Sequence, residues 1–182
     1  MHRGGQRRPR SPLDEDKLNE LMLAYVARFA TSRAKLAGYL LRKLRERGWS
    51  GNTEPPIEAM VAKAGRLGFV DDAAFALSKA RTLTARGYGE RRVGQALHAA
   101  GIDDTDAERA RGHAHDEGVE SALHFARRRR LGPYAATAPT PEAREKALAA
   151  MIRAGHGFRL AKSILALPPG AKVDLQALED AR

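Results

Sequence analysis

Three stretches of this chain follow one plan, and that recurrence limits what it can fold into. SRAKLAGYLLRKLRERGW, GERRVGQALHAAGI and PEAREKALAAMIRAGHGF each start polar, run on as a Leu-rich stripe and stop at glycine followed by an apolar residue. Gly48 and Gly101 are 53 residues apart, and Gly101 and Gly157 are 56 apart. A period of that size points to a unit of three helices, repeated three times. One trio of short helices buries little by itself, so neighbours must stack, and an elongated, curved array is the expected result. Nothing in the sequence alternates with period two, so essentially no β-sheet is expected. Composition agrees. Apolar residues make up 43% of the 182, but only ten are Phe, Trp or Tyr, so an interior of Leu, Ala, Val and Ile is required, which favours packed helices. The expected fold class is all-α.

Local signals place the elements. Leu18, Leu21, Met22, Tyr25 and Phe29 form one helical stripe. Thr31 or Ser32 caps a second helix with Leu36, Leu40 and Leu44, closed by Gly48-Trp49. A third carries Ile57, Met60, Val61, Ala64 and Leu67 and stops at Gly68-Phe69. Asp71 precedes a helix with Phe75, Leu77 and Leu83, which ends near Gly87-Tyr88. Glu90 opens the next, with Val93, Ala96, Leu97 and Ala100, and Gly101-Ile102 closes it. Helices are further expected from Asp103 or Asp104 to about Glu117, from Val119 to Leu131, from Pro141 past Leu148, Met151 and Ile152 to Gly157, and from Phe158 through Leu160, Ile164 and Leu165 to Pro168. The divisions expected are a disordered basic arm over 1–12, repeats over 13–70, 71–118 and 119–167, and a short tail over 168–182. Trp49, Phe69 and Phe158 are expected to pin helix ends to the core, and Phe75 to lie buried between the first two repeats.

Several chemistries are excluded. The absence of cysteine removes disulfides, thiolate nucleophiles, iron–sulfur clusters and cysteine-bound zinc. His113 and His115 point about 200° apart on a helix and cannot share a metal ion; they read as part of a solvated polar face. Asp71-Asp72 reads as a helix cap. No phosphate loop, nucleophile elbow or zinc-protease motif is present, so neither catalysis nor a cofactor is expected. No apolar run approaches the roughly 20 residues that span a bilayer, and the basic start is followed by LDEDK, unlike a secretory signal. A cytoplasmic protein without membrane association is expected.

The cations carry more information. With 32 Lys and Arg against 22 Asp and Glu the formal charge is +10, which draws the chain to polyanions or acidic protein faces. Arg33, Lys35, Arg42, Lys43, Arg45 and Arg47 face one acid, Glu46. Lys79, Arg81, Arg86, Arg91 and Arg92 face Glu90 alone, and Arg127, Arg128, Arg129 and Arg130 form a run. One such group is ordinarily the wet side of an amphipathic helix, but recurrence in each proposed unit points to a binding face. Tyr88 reads as a helix-end hydrophobe.

Gly68, Phe69, Asp71, Asp72, Phe75 and Ala76, followed by Gly87, Tyr88, Gly89, Arg91, Arg92 and Leu97 and by Gly101-Ile102, make a pattern that resembles the central signature of the RecX family, bacterial regulators of the RecA recombinase. The resemblance extends more loosely over residues 20–167. It departs at Lys35 and Ala96, where the family usually has Glu, and at Gly155-His156, two extra residues before the third repeat's Gly-Phe. The resemblance implies a helical rod in the groove of the RecA–DNA filament, inhibiting ATP turnover, strand exchange and co-protease activity. Contacts are then expected through Arg42, Lys43, Arg45, Arg81, Arg86, Arg91, Arg92 and part of the run Arg127 to Arg130, in a monomer that binds single- or double-stranded DNA weakly and without sequence preference. A stand-alone DNA-binding protein with helix-turn-helix-like units is the alternative.

The repeat period makes a prediction about shape. Small-angle scattering should give a radius of gyration clearly above the compact value for this length, about 16 Å; a compact value would remove the rod.

Overall fold

Capping chemistry sets where the helices begin. A computed structural model describes residues 11–182. In α1 (Glu15–Arg28) the Asp14 carboxylate accepts from the Lys17 N–H at 2.9 Å, and in α2 (Arg33–Arg47) the Ser32 hydroxyl accepts from the Lys35 N–H at 3.2 Å. The second helix therefore keeps its Ser cap without a glutamate at Lys35. α3 (Ile57–Arg66) follows Pro56, α4 (Asp72–Ala85) follows Asp71, and α5 (Glu90–His98) follows Gly89. Asp103 caps α6 (Asp104–Asp116), and α7 (Gly118–Arg129) comes two residues later. A 3-10 turn at Gly132–Tyr134 leads to α8 (Pro141–Arg153), capped by Thr140, then α9 (Phe158–Ala166) and α10 (Leu175–Asp180), capped by Asp174. No strand occurs among the described residues; Leu13 and Trp49 form a single parallel bridge. Of the basic arm expected over 1–12, only Ser11 and Pro12 are described, and the Ser11 carbonyl accepts from the Arg47 side chain at 3.0 and 3.1 Å.

Helix ends repeat one hydrogen-bonding motif. The residue after a left-handed glycine donates its N–H to a carbonyl five residues back, as Phe69 does to Ala64, Tyr88 to Leu83 and Ile102 to Leu97. The third repeat corrects the sequence reading. Its stop is Gly155, with φ +96°, and His156 makes the five-residue bond to Met151 at 3.1 Å. Gly157 has a φ of −64° and begins α9. Gly155-His156 is thus the stop itself, and counting from it brings the third repeat 54 residues after Gly101.

Two compact units meet between Asp71 and Asp72. The first has one core, built on Leu13, Leu18, Met22, Leu36, Leu40, Met60 and Ala64. The second contains two. One gathers Ala76, Ala80, Val93, Leu97, Ala107, Ala110 and Ala114; the other centres on Leu123, Phe125, Met151, Leu160 and Ile164.

The packing of α4 also differs from expectation. Its buried face is Asp72, Ala76, Ala80 and Thr84, while Phe75, Leu77 and Leu83 are only half-buried. Across from it, α6 buries Ala107, Ala110 and Ala114, and the two helices pack along their length. Small side chains let the helix axes approach closely; hydrophobicity alone picks out the larger residues and so mistakes the face. Phe69 and Phe158 are likewise exposed, at 47% and 54%, and do not pin the core. Each sits where its side chain leaves the helix end outward. Trp49 does pack on the first core, and its Nε1–H donates to the Thr53 carbonyl. Residues 168–182 are more than a tail: Leu178 on α10 is buried in the last core.

The alanine contact predicts an inversion. Ala80→Leu should destabilise the second unit by about 1–3 kcal/mol through overpacking, as much as or more than Phe75→Ala. A melting series in which only Phe75→Ala is harmful would show that the small-residue face is not the tight one.

Candidate partner-binding surface

The cations singled out by sequence differ in how much of their hydrogen-bonding capacity is already used. In the first unit Glu46 takes both Lys43, at 2.6 Å, and Arg42, at 3.6 Å, and both cations lie over the Tyr39 ring. Arg45 is exposed and has no side-chain hydrogen bond or ion pair among the described residues. In the second unit Arg127 lies over Tyr134 at 5.0 Å and Arg129 over Phe125 at 5.7 Å. Arg92 reaches the Gln95 side chain at 3.5 Å. Arg81, Arg86, Arg91, Arg128 and Arg130 are exposed, without side-chain hydrogen bonds or ion pairs among the described residues. Their guanidinium forks are available for bidentate contacts to anions such as phosphate or carboxylate.

A turn-to-turn contact gathers the groups of the second unit. The α4–α5 turn, Gly87-Tyr88-Gly89, lies against the α8–α9 turn. The Gly89 N–H donates to the Ala154 carbonyl at 2.9 Å and the Arg91 N–H to the Gly155 carbonyl at 3.2 Å. A side chain at Gly89 is impossible, because its Cβ would stand 2.5 Å from the Gly155 oxygen. On the other flank a Cβ at Gly87 would come within 2.9 Å of the Phe125 nitrogen. Arg86 thereby precedes a glycine packed on α7 at Phe125, while Arg91 and Arg92 open α5 against Gly155 of the α8–α9 turn. The Gly89 and Arg91 amides are consumed in joining this turn to the α8–α9 turn. What remains for a ligand is the side chains.

His156 closes this contact from within. It is 2% exposed, its ring meets Phe125 edge-on at 5.6 Å, and its Nε2 lies 3.0 Å from the Gly87 carbonyl oxygen. A carbonyl only accepts, so Nε2 carries the proton and donates. Burial holds the imidazole below its ordinary value of 6.5, opposed by the hydrogen bond to Gly87. Sequence marked His156 as an extra residue but offered no signal of this role. His113 also corrects the reading of a solvated face: it is half-buried, with Nε2 3.2 Å from the buried Thr84 hydroxyl. His115 is linked instead to the chain end, accepting a bond from Arg182 to its carbonyl.

Among the described residues no group of three or more His, Asp or Glu is arranged to hold a metal, and no helix is long and apolar enough to cross a membrane. Helical trios with their charged chemistry on the surface define an all-α repeat protein. The comparisons narrow that class. The model of the second three-helix domain of RecX matches residues 71–110. "Regulatory protein RecX" of Myxococcus xanthus is 33% identical over 169 residues, covering 88% of this chain and 90% of its own. The crystal structure of RecX from Lactobacillus salivarius superposes with a TM-score of 0.59 over 90% of this chain and 96% of that one, at 21% identity. A second structure, of regulatory protein RecX, gives a TM-score of 0.57 over 82% and 70% at the same identity. The chain belongs to the RecX family of regulatory proteins.

The buried imidazole sets a pH dependence. Its pKa is lower folded than unfolded, so below about pH 6.5 the unfolded chain binds the extra proton and stability falls as pH falls. Resistance of the parent to denaturant should fall from pH 7 to pH 5, and His156→Gln, which keeps a donor without titrating, should lose much of that slope. Equal slopes would show that His156 does not control it.

Proposed function

We propose that this chain binds a RecA–DNA filament and inhibits its ATP hydrolysis, strand exchange and co-protease activity, without catalysing a reaction itself. Membership of the RecX family supports this reading, and the observation that carries it is the set of exposed arginines without a side-chain hydrogen bond or ion pair among the described residues: Arg45, Arg81, Arg86, Arg91, Arg128 and Arg130. Lys43 and Arg42, already paired with Glu46, and Arg92, Arg127 and Arg129 take a secondary part. The repeats over 13–70, 71–118 and 119–167 each contribute cations, so several weak contacts on one chain raise the effective concentration for the next. A filament offers both phosphates and acidic side chains along one path, and arginine suits either.

Titration into a preformed RecA filament on single-stranded DNA, followed by ATP hydrolysis, tests this directly. The parent should suppress hydrolysis. Arg91→Ala/Arg92→Ala should weaken inhibition about tenfold or more, since a charge-assisted hydrogen bond is worth about 1.5–3 kcal/mol, while melting barely moves because the groups are exposed. A parent without effect on hydrolysis overturns the reading; a double variant that unfolds assigns these arginines to the structure instead.

A further inference from the structure

At the carboxyl end of α1 the structure gathers three rings and Arg28, which the basic-face reading does not use, beside Arg42 and Lys43, which it does. Tyr25 and Tyr39 stack between α1 and α2, with centroids 4.1 Å apart and planes 16° from parallel. Phe29, one turn beyond Tyr25, adjoins the pair at 5.3 Å with its plane tilted 47° from that of Tyr25. The Arg28 guanidinium lies 5.6 Å from the Phe29 centroid, and Arg42 and Lys43 lie 5.5 and 5.8 Å from that of Tyr39. All three are within the roughly 6 Å over which a ring face attracts a cation. Packing accounts for the tyrosines, which are half-buried against the first core. It does not account for Phe29, which caps α1 and leaves 51% of its surface exposed.

The local charge is positive. Glu46 offsets part of Arg42 and Lys43, while Glu15, Asp16 and Glu20 lie about 13 Å or more back along α1 at 1.5 Å per residue. An exposed ring beside a stacked tyrosine pair, tilted away from it and bordered by cations, matches the chemistry of an unpaired base on its phosphate backbone: the base supplies a π-face and the phosphates supply the anions. A duplex offers the anions but keeps its base faces to itself. An acidic protein segment would engage the cations and leave the ring unused.

We infer that the Tyr39–Tyr25–Phe29 cluster with Arg28, Arg42 and Lys43 is a binding site for single-stranded nucleic acid, in which an unpaired base stacks on Phe29. The site shares Arg42 and Lys43 with the set assigned to the filament and goes beyond it in Phe29, Tyr25, Tyr39 and Arg28 and in taking an unpaired base. Fluorescence anisotropy with a labelled oligothymidylate, an abasic oligomer of equal length and a duplex of equal length tests it. Phe29→Ala should weaken oligothymidylate binding about tenfold, leave the abasic oligomer and the duplex unchanged, and melt like the parent. Phe29→Trp should keep the affinity, with its added emission quenched by oligothymidylate. Unchanged oligothymidylate binding by Phe29→Ala overturns the site, as does an equal loss on all three probes. So does a labelled Asp- and Glu-rich peptide that competes for the site equally in parent and Phe29→Ala. Filament inhibition that depends on Arg91 and Arg92 while Phe29→Ala binds normally would leave the proposed function standing and remove this inference alone.

Discussion

The carbonyl oxygen of Gly155 occupies the place where a side chain at Gly89 would be, and the organisation of the second unit follows from that contact. Two three-helix repeats with small cores are joined there by main-chain hydrogen bonds, from Gly89 to Ala154 and from Arg91 to Gly155, with the His156 ring beneath them. Backbone bonds fix register in a way that apolar contacts do not, since they are directional and costly to leave unmade. The arginines beside the turn inherit that register. Arg86, Arg91 and Arg92 are long, flexible side chains, yet their points of attachment are fixed by glycines that also end α4 and begin α5.

Much of the fold is legible in sequence because its signals are local. Ser32, Asp103 and Thr140 stand where caps are needed, and Gly68, Gly87 and Gly101 mark helix ends through a hydrogen-bond pattern that depends only on neighbours in the chain. The errors share a cause. Ala76, Ala80, Ala107, Ala110 and Ala114 are chosen for the distance between two helices, a quantity a hydrophobicity pattern does not contain. His156 reads as an insertion because its partner, Gly87, is 69 residues away. The exposure of Phe29, Phe69 and Phe158 depends on the direction in which the chain leaves each helix, and nothing in the stripe encodes it. Of the candidate surface, sequence identified the arginines by type and recurrence. Which of them are already occupied by Glu46, Tyr134 or Phe125 emerges only in three dimensions.

The scarcity of rings also gains a structural meaning. A core of alanine and leucine permits close helices and short trios, and it leaves aromatic residues free for other positions. Phe125 sits at the centre of one core with a guanidinium above it, and Tyr39 and Tyr134 are also covered by cations. In each contact the Arg42, Arg127 or Arg129 guanidinium stays on the exposed side of its ring, since a charge inside the core would be expensive to hold.

Arg130 is the one described residue other than glycine with a positive φ, +55°, in the left-handed conformation that ends α7. A side chain there costs about 1–2 kcal/mol relative to relaxed backbone, and three further arginines crowd the turn that precedes it. Strain and mutual repulsion act in the same direction, so this last turn opens more readily than the buried centre of the helix. A turn that opens can let its charges spread to the spacing of whatever anions it meets. The end of α7 therefore carries its compliance in the backbone rather than in side-chain length.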